Sequence, residues 1–136
     1  MGEPVRYSGW RNDTVIRLFK RDFCSYQDKL VHAEIIANGT IGKLKHKLYH
    51  NTYITFDKYM EKMNRYATLQ AKDYDAKTGK LTPYHFVIKP FWGFIKHYLV
   101  QSGFRDGVIG FTIGYVQGYI IFMRYVKLWL LRKGRK

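Results

Sequence analysis

The chain has 136 residues, of which 46% are hydrophobic and 18% aromatic, and its formal net charge is +14. This length fits one domain or part of one, and so much apolar and aromatic sequence excludes a disordered polypeptide. The single cysteine, Cys24, excludes an intrachain disulfide and a zinc site built from cysteines, which fits a reducing, cytoplasmic compartment.

The first third of the chain is predicted to form short strands and loops. Thr14–Arg21 is rich in β-branched and aromatic residues and follows the turn-forming pair Asn12-Asp13, which predicts a strand. A second apolar run, Leu30–Ile36, precedes a turn signal at Asn38-Gly39. The segment Tyr49–Ile54 is again β-prone.

An amphipathic helix is predicted near Thr55–Ala76. Thr55 can cap this helix, and Asp57 lies favourably near its positive end. The side chains that recur at steps of three and four residues are Phe56, Tyr59, Met60, Met63, Ala67, Gln70, Ala71 and Tyr74. Pro83 suits the first turn of the next helix, and Pro90 should kink or divide that helix.

Residues 83–136 combine aromatic side chains with nine Lys or Arg against one acid, Asp106, a net charge of +8. The uncharged stretch Val108–Met123 predicts an apolar helix that runs to about Leu131. It falls short of the roughly 20 apolar residues that cross a bilayer, so we expect it to lie in the membrane interface. Two overlapping G-x-x-x-G steps, formed by Gly110, Gly114 and Gly118, predict a groove for another helix.

The charge pattern favours anionic lipid as the partner of this region, because Lys and Arg are attracted to headgroups while aromatic side chains settle at headgroup level. The predicted membrane-binding residues are Trp92, Lys96, Arg105, Arg124, Lys127, Trp129 and Arg132. Nucleic acid ranks below lipid, because a nucleic-acid-binding face would not need a sixteen-residue uncharged run. A third interpretation is a buried, glycine-tolerant helix of a soluble core.

Few residues form a recognisable chemical signature. The sequence lacks a Walker loop and the H-E-x-x-H and G-x-S-x-G motifs. The pair Asp73-Tyr74-Asp75 has metal-binding spacing but lies late in the amphipathic helix, so we interpret it as a solvated face. His32 and Glu34 are the best candidates for proton transfer, against the commoner interpretation of a structural histidine and a surface glutamate.

A series of short motifs, in order, resembles the C-terminal portion of bacterial family 2 glycosyltransferases, of the lipopolysaccharide-core β-glucosyltransferase type. The motifs are Gly9-Trp10-Arg11-Asn12-Asp13, Arg17-Leu18-Phe19-Lys20-Arg21, Val31-His32-Ala33-Glu34, Leu48-Tyr49-His50-Asn51-Thr52-Tyr53, Asn64-Arg65-Tyr66-Ala67, Lys89-Pro90, Gly103-Phe104-Arg105-Asp106-Gly107 and Arg124-Tyr125-Val126-Lys127-Leu128-Trp129. They cover essentially the whole chain.

The resemblance implies an α+β fragment of a GT-A type glycosyltransferase that lacks the nucleotide-binding part. Residues 1–54 would be an acceptor-side remnant of the catalytic domain, residues 55–82 an amphipathic connecting helix and turn, and residues 83–136 a membrane-associated helical region. The two C-terminal helices would lie on the cytoplasmic face of the bacterial inner membrane.

The implied activity is inverting transfer of a sugar from a nucleotide-sugar donor to a lipopolysaccharide-core or other cell-envelope glycan, or to a lipid-linked acceptor. The complete enzyme would use a divalent cation, Mg or Mn. We expect the isolated chain to bind no metal, no donor nucleotide and no nucleic acid, and to be inactive. The alternative is a non-enzymatic membrane-surface adaptor that binds anionic lipid.

The resemblance also assigns site residues. The segment His32–Glu34 matches the acceptor-side catalytic motif, which makes Glu34 and His32 the catalytic candidates. Related members more often have Val-His-Glu, so Ala33 occupies the usual position of the acid. The candidates for binding the donor diphosphate or the acceptor are Arg17, Arg21, Trp10 and His50.

Overall fold

A computed structural model describes residues 4–9, 15–27, 34–46 and 55–135. Within these ranges the strands are β1 (Cys24–Tyr26) and β2 (Ile35–Ala37), and the α-helices are α1 (Phe56–Asp75), α2 (Pro83–Phe86), α3 (Ile88–Ile95) and α4 (Gly107–Arg132). Short 3₁₀ turns lie at Arg21–Phe23 and Gly103–Asp106, and a π-helical segment, Lys96–Val100, extends α3. The described chain is mostly helical with one small sheet, which is consistent with the expected α+β class.

The two strands form an antiparallel ribbon in which Ser25 lies opposite Ile36. The prediction of a strand at Thr14–Arg21 is wrong for the described part of that segment. Residues 15–20 are irregular, and residue 21 begins a 3₁₀ turn. A strand needs a partner for its backbone groups, and here pairing with β2 starts only at Cys24. The β-prone segment Tyr49–Ile54 lies outside the described residues.

Helix α1 confirms the amphipathic pattern of the sequence. The Thr55 hydroxyl accepts a hydrogen bond from the Lys58 backbone N–H at 3.3 Å, which satisfies one of the free donors at the helix start. The helix ends at Asp75, with Ala76 as its C-cap. Four of the periodic positions are buried: Tyr59, Met63, Ala67 and Ala71.

The prolines act as the sequence predicts. Pro83 is the first residue of α2, and the helix breaks at Val87, between α2 and α3. Pro90 has no N–H to donate to the carbonyl of Phe86 four residues earlier, and its ring crowds that carbonyl. The predicted division of this helix is therefore confirmed.

Helix α4 lies between α1 and α3 and is packed against both. On the α1 side, Tyr59 and Met63 share a buried cluster with Val116 and Ile120. Further along both helices, Ala71 packs with Tyr125 and Leu128 in a second buried cluster. The two helices thus run side by side in the same direction.

On its other side α4 forms an antiparallel hairpin with α2 and α3, here named the C-terminal hairpin (residues 83–132). A Cβ atom added at Gly118 would lie 2.8 Å from the Pro90 carbonyl oxygen, and one added at Gly114 would lie 3.2 Å from Tyr98 Cβ. One added at Gly110 would overlap the Gly103 carbonyl group. The glycine groove that the sequence predicted is confirmed, and α3 with its π-helical extension fills it.

Candidate functional site

Of the two predicted catalytic residues, the structure describes Glu34. Its side chain is exposed, and its backbone carbonyl accepts a hydrogen bond from the Gln27 N–H at 3.0 Å, which extends the ribbon beyond the strand ends. A carboxylate at this position is open to a substrate. His32, the other candidate, lies outside the described residues.

The predicted substrate-binding arginines are both exposed. Arg17 lies in the irregular segment before the ribbon, and Arg21 begins the 3₁₀ turn. Within the described residues 15–21 no strand forms that would align the two side chains. Trp10 and His50 lie outside the described residues.

Among the residues that the structure describes, no group of three or more His, Cys, Asp or Glu side chains is arranged to hold a metal ion. In the Asp73-Tyr74-Asp75 pair of α1, the second aspartate binds an arginine. The Asp75 carboxylate forms an ion pair with Arg132, with 2.7 Å between Oδ1 and Nε. It therefore helps to fix the end of α1.

The C-terminal hairpin carries a connected row of aromatic rings, here named the aromatic face. Phe94 stacks on Tyr98 at 5.3 Å between ring centroids, and both rings contact Phe111 edge-on at 5.7 and 5.6 Å. Phe104 and Tyr115 extend the row at either end. Tyr115 is 63% exposed, so the row lies open to solvent although it is apolar.

This face lies on the side of α4 away from α1. Helical spacing places Phe111 and Tyr115 nearly opposite Ile113, Val116 and Ile120, which are buried. Trp129 lies on the same side as Phe111 by the same spacing and is 42% exposed.

The remaining predicted membrane-binding residues fall into two groups. Trp92, Lys96 and Arg105 are exposed on or beside α3 and the connector to α4. The Arg105 guanidinium lies over the ring of Tyr7, 4.4 Å from its centroid. These three side chains are accessible from solvent.

The basic residues of α4 instead contact α1. Arg124 Nε donates to Gln70 Oε1 at 2.9 Å, and Lys127 Nζ donates to Asn64 Oδ1 and Thr68 Oγ1, both at 2.6 Å. Partial burial lowers the pKa of Lys127 from its ordinary value. The direct role of these two residues in lipid binding stays a prediction, and each has an internal partner.

Arg132 closes the end of α1. Besides its ion pair with Asp75, its guanidinium donates to the backbone carbonyls of Asp75, Thr78 and Gly79 at 2.8, 2.5 and 2.7 Å. The Asp75 carbonyl is at the helix C-terminus and has no intrahelical partner, so a guanidinium that satisfies it together with two carbonyls of the following segment is stabilising.

A second polar site was missed by sequence reasoning. The Asp106 carboxylate, in the connector before α4, accepts hydrogen bonds from the N-terminal segment: from Arg6 N at 3.1 Å, Tyr7 N at 2.9 Å and Ser8 Oγ at 3.1 Å. We name this arrangement, together with His97 and Gln101, the Asp106 site. One feature of the sequence could have indicated the site, because Asp106 is the one acid among the basic residues of 83–136.

His97 completes this site. Its Nδ1 lies 3.2 Å from the Ser8 carbonyl oxygen. Because a carbonyl only accepts, Nδ1 must carry the proton. Burial lowers the pKa of His97, nearby Lys96 lowers it further, and the bond to Ser8 opposes this. The neutral imidazole with its proton on Nδ1 is therefore favoured.

By length and composition alone, one helical stretch of the described chain, Gly103–Arg132, is apolar enough to cross a membrane. Of its most apolar part, 33% is buried inside the molecule. A helix that packs inside a soluble protein meets the same criterion.

Comparison with known proteins points to glycosyltransferases. Over about 121 aligned residues, the chain is 27% identical to a protein of Rickettsia conorii and 26% identical to one of Rickettsia felis. A protein of Rickettsia typhi is 25% identical over 122 residues. All three are named uncharacterized glycosyltransferases.

These alignments include 82% to 83% of the chain but only 42% to 43% of each relative. The chain thus spans less than half the length of the curated relatives it matches. No family model and no solved structure matches the chain. The similarities support a relationship to glycosyltransferases.

Proposed function

We propose that this chain is the acceptor-side and membrane-anchoring part of an inverting family 2 glycosyltransferase. It would help to move a sugar from a nucleotide-sugar donor to a lipopolysaccharide-core or other cell-envelope acceptor, at the cytoplasmic face of the bacterial inner membrane. The observation that carries the proposal is the similarity to the rickettsial glycosyltransferases over four fifths of the chain.

The C-terminal hairpin would hold the enzyme at the membrane through its aromatic face. Exposed rings of Phe104, Phe111 and Tyr115 are suited to the headgroup region, and the same hairpin exposes the cations Lys96 and Arg105. Such a contact requires no residue of α1.

The packing of α1 against α4 favours a position of α4 in the membrane interface over one in which α4 crosses the bilayer. It follows α4 for most of its length and exposes charged side chains, among them Lys58, Glu61 and Arg65. If α4 crossed the bilayer, these charges would enter the hydrocarbon with it, at about 2.5–3.5 kcal/mol for each lysine or arginine at its centre. At the surface, α1 stays in water.

Donor binding and the divalent cation, Mg or Mn, would belong to a part of the enzyme beyond this chain. We therefore expect no transfer by the 136 residues alone. The role left to this chain is to present the acceptor, with Glu34 as the candidate base that deprotonates the acceptor hydroxyl and Arg17 and Arg21 as candidates for phosphate contacts.

The test is a transfer assay on the longest open reading frame that contains this chain, with nucleotide sugars and extracted envelope glycolipid. Substituting Glu34→Gln should lower kcat about 10²- to 10⁴-fold, because the amide cannot take a proton. The matched control is Glu61→Gln, which removes the same charge from the exposed side of α1. It should leave the rate unchanged.

Three results would refute the proposal. Turnover by the isolated chain would contradict the assignment of donor binding to another part of the enzyme. Absence of transfer by the complete reading frame, together with retained binding to anionic vesicles, would favour the non-enzymatic adaptor. Tight, salt-dependent binding to DNA or RNA without vesicle binding would instead assign the basic surface to nucleic acid.

A further inference from the structure

The Asp106 site joins two parts of the chain that lie about a hundred residues apart. Asp106 Oδ1 accepts from the backbone of Arg6, and Oδ2 accepts from the backbone of Tyr7 and the hydroxyl of Ser8. A carboxylate is an acceptor at both oxygens, so it can receive all three donors at once. Hydrogen bonds to a charged group are also stronger than those between neutral groups.

Ser8 is held on every side. It is fully buried, its N–H donates to the Gln101 carbonyl at 3.1 Å, and its own carbonyl accepts from His97. Its φ of 58° lies in the left-handed region that serine rarely adopts. Such a backbone persists where its surroundings over-determine it, which the contacts here do.

The neighbouring glycines are required by this close approach. Gly9 has a φ of 86°, and the Gln101 side chain occupies the place of a Cβ at that position. A Cβ on Gly103 would lie 2.8 Å from the Ser8 hydroxyl. The N-terminal segment and the connector of the hairpin therefore fit each other closely.

Of the two segments that meet at the Asp106 site, one lies close in sequence to the candidate substrate-binding residues and the other to the aromatic face. Ser8 is followed within a few residues by Trp10 and then by Arg17 and Arg21, the candidates for substrate binding. Asp106 itself ends the connector between α3 and α4, in the same 3₁₀ turn as Phe104 of the aromatic face. One carboxylate thus links the start of the acceptor-side segment to the surface that would contact lipid.

We propose that Asp106 is a positioning residue for the transferase: it fixes the segment that enters the acceptor side onto the membrane-bound hairpin. This inference rests on the proposed function. It concerns neither the donor site nor lipid affinity, because Asp106 bonds to the N-terminal segment and its own side chain is not on the aromatic face.

The test is Asp106→Asn in the complete reading frame. Either orientation of the amide turns its NH₂ group toward an N–H or O–H donor, so part of the contact becomes repulsive. We expect kcat on the membrane-embedded acceptor to fall about tenfold, the loss typical of one charged hydrogen bond. The KM for the donor and the binding to anionic vesicles should not change.

Two further variants separate positioning from folding. Asp106→Glu keeps both acceptor oxygens and should restore part of the rate. Ser8→Ala removes one donor and leaves the hairpin intact, so it should lower the same kcat by about threefold. In hydrogen exchange, Asp106→Asn should lose protection at the amides of Arg6 and Tyr7 while those of α4 stay protected. Glu61→Gln is the charge-matched control.

The outcomes are distinct. Transfer that Asp106→Asn leaves unchanged overturns the positioning role and leaves the proposed function standing. A rise in donor KM together with lost protection in α4 assigns Asp106 to folding and also overturns it. Absence of transfer by the unaltered protein overturns the proposed function, and this role with it.

Discussion

Helix α4 meets its two neighbours in opposite ways. Toward α3 it presents glycines, so that a Cβ at Gly118 would come within 2.8 Å of the Pro90 carbonyl oxygen. Toward α1 it presents large buried side chains, such as Ile120 and Leu128, and the long cations Lys127 and Arg132. The first interface is defined by backbone approach, and it cannot accept an added atom where that atom would meet backbone, as at Gly110 and Gly118. The second is defined by side chains and weakens when they are removed.

The strongest test of this contrast is Gly110→Ala. The new methyl group would overlap the Gly103 carbonyl group, which belongs to the backbone and cannot rotate away. We expect a loss of about 3 kcal/mol in the free energy of unfolding, at the upper end of overpacking costs. Urea denaturation followed by circular dichroism measures it.

Gly114→Ala is the matched control, four residues along the same face. Its Cβ would meet Tyr98 Cβ at 3.2 Å and Phe94 Cδ2 at 3.4 Å, where small shifts suffice. The gain of about 1 kcal/mol in helix propensity should offset this crowding. Equal stability of the two variants would mean that α4 does not approach the connector as closely as the structure has it.

Local patterns predicted the helical part of the molecule well. The cap at Thr55, the buried face of α1, the break before Pro90 and the glycine groove are confirmed. Each depends on residues within one or two helical turns, where backbone geometry fixes which side chains share a face. The pattern of residues 108–123 also identified α4, which begins at Gly107.

Patterns failed where structure depends on distant partners. The β-rich run at Thr14–Arg21 remains irregular in its described part, since β2 pairs only from Cys24 onward. None of the described residues in 15–46 is buried, so no core fixes a register there. The Asp106 site escaped prediction because its partners are 98 to 100 residues apart in the sequence.

The charge pattern predicted that the basic residues contact the membrane, but it did not distinguish those that face solvent from those that contact α1. The composition of residues 83–136 treats Lys96 and Arg132 alike, whereas the structure leaves the first exposed and bonds the second to the end of α1. Helical spacing alone would have placed Lys127 on the side of Val116 and Ile120, which is the α1 side. The candidate membrane surface is therefore narrower than the sequence indicated.

Arg132→Gln tests the α1 side of α4. The substitution removes the ion pair with Asp75 and leaves the carbonyls of Thr78 and Gly79 without their donor. Because these groups are partly exposed, water compensates in part, and we expect a loss of about 1–2 kcal/mol. A thermal melt should shift down by about 4 °C per kcal/mol for a chain of this size.

Arg135→Gln is the control for Arg132→Gln, since Arg135 has the same charge and an exposed side chain three residues further on. It should leave the melting temperature unchanged. If both variants have the melting temperature of the unaltered protein, the guanidinium contacts at the end of α1 add nothing to stability. Helix α4 would then be held by its apolar contacts alone.

The smallest expected effect is on lipid binding by the C-terminal hairpin. Lys96→Gln removes an exposed cation of the C-terminal hairpin, and a lysine near an anionic leaflet is worth about 1 kcal/mol. Partition onto phosphatidylserine vesicles should weaken about fivefold, and less so at high salt. Lys58→Gln removes the same charge from α1, on the side away from the hairpin, and should leave partition unchanged. If the two variants weaken binding equally, net charge rather than a defined face attracts the protein to lipid.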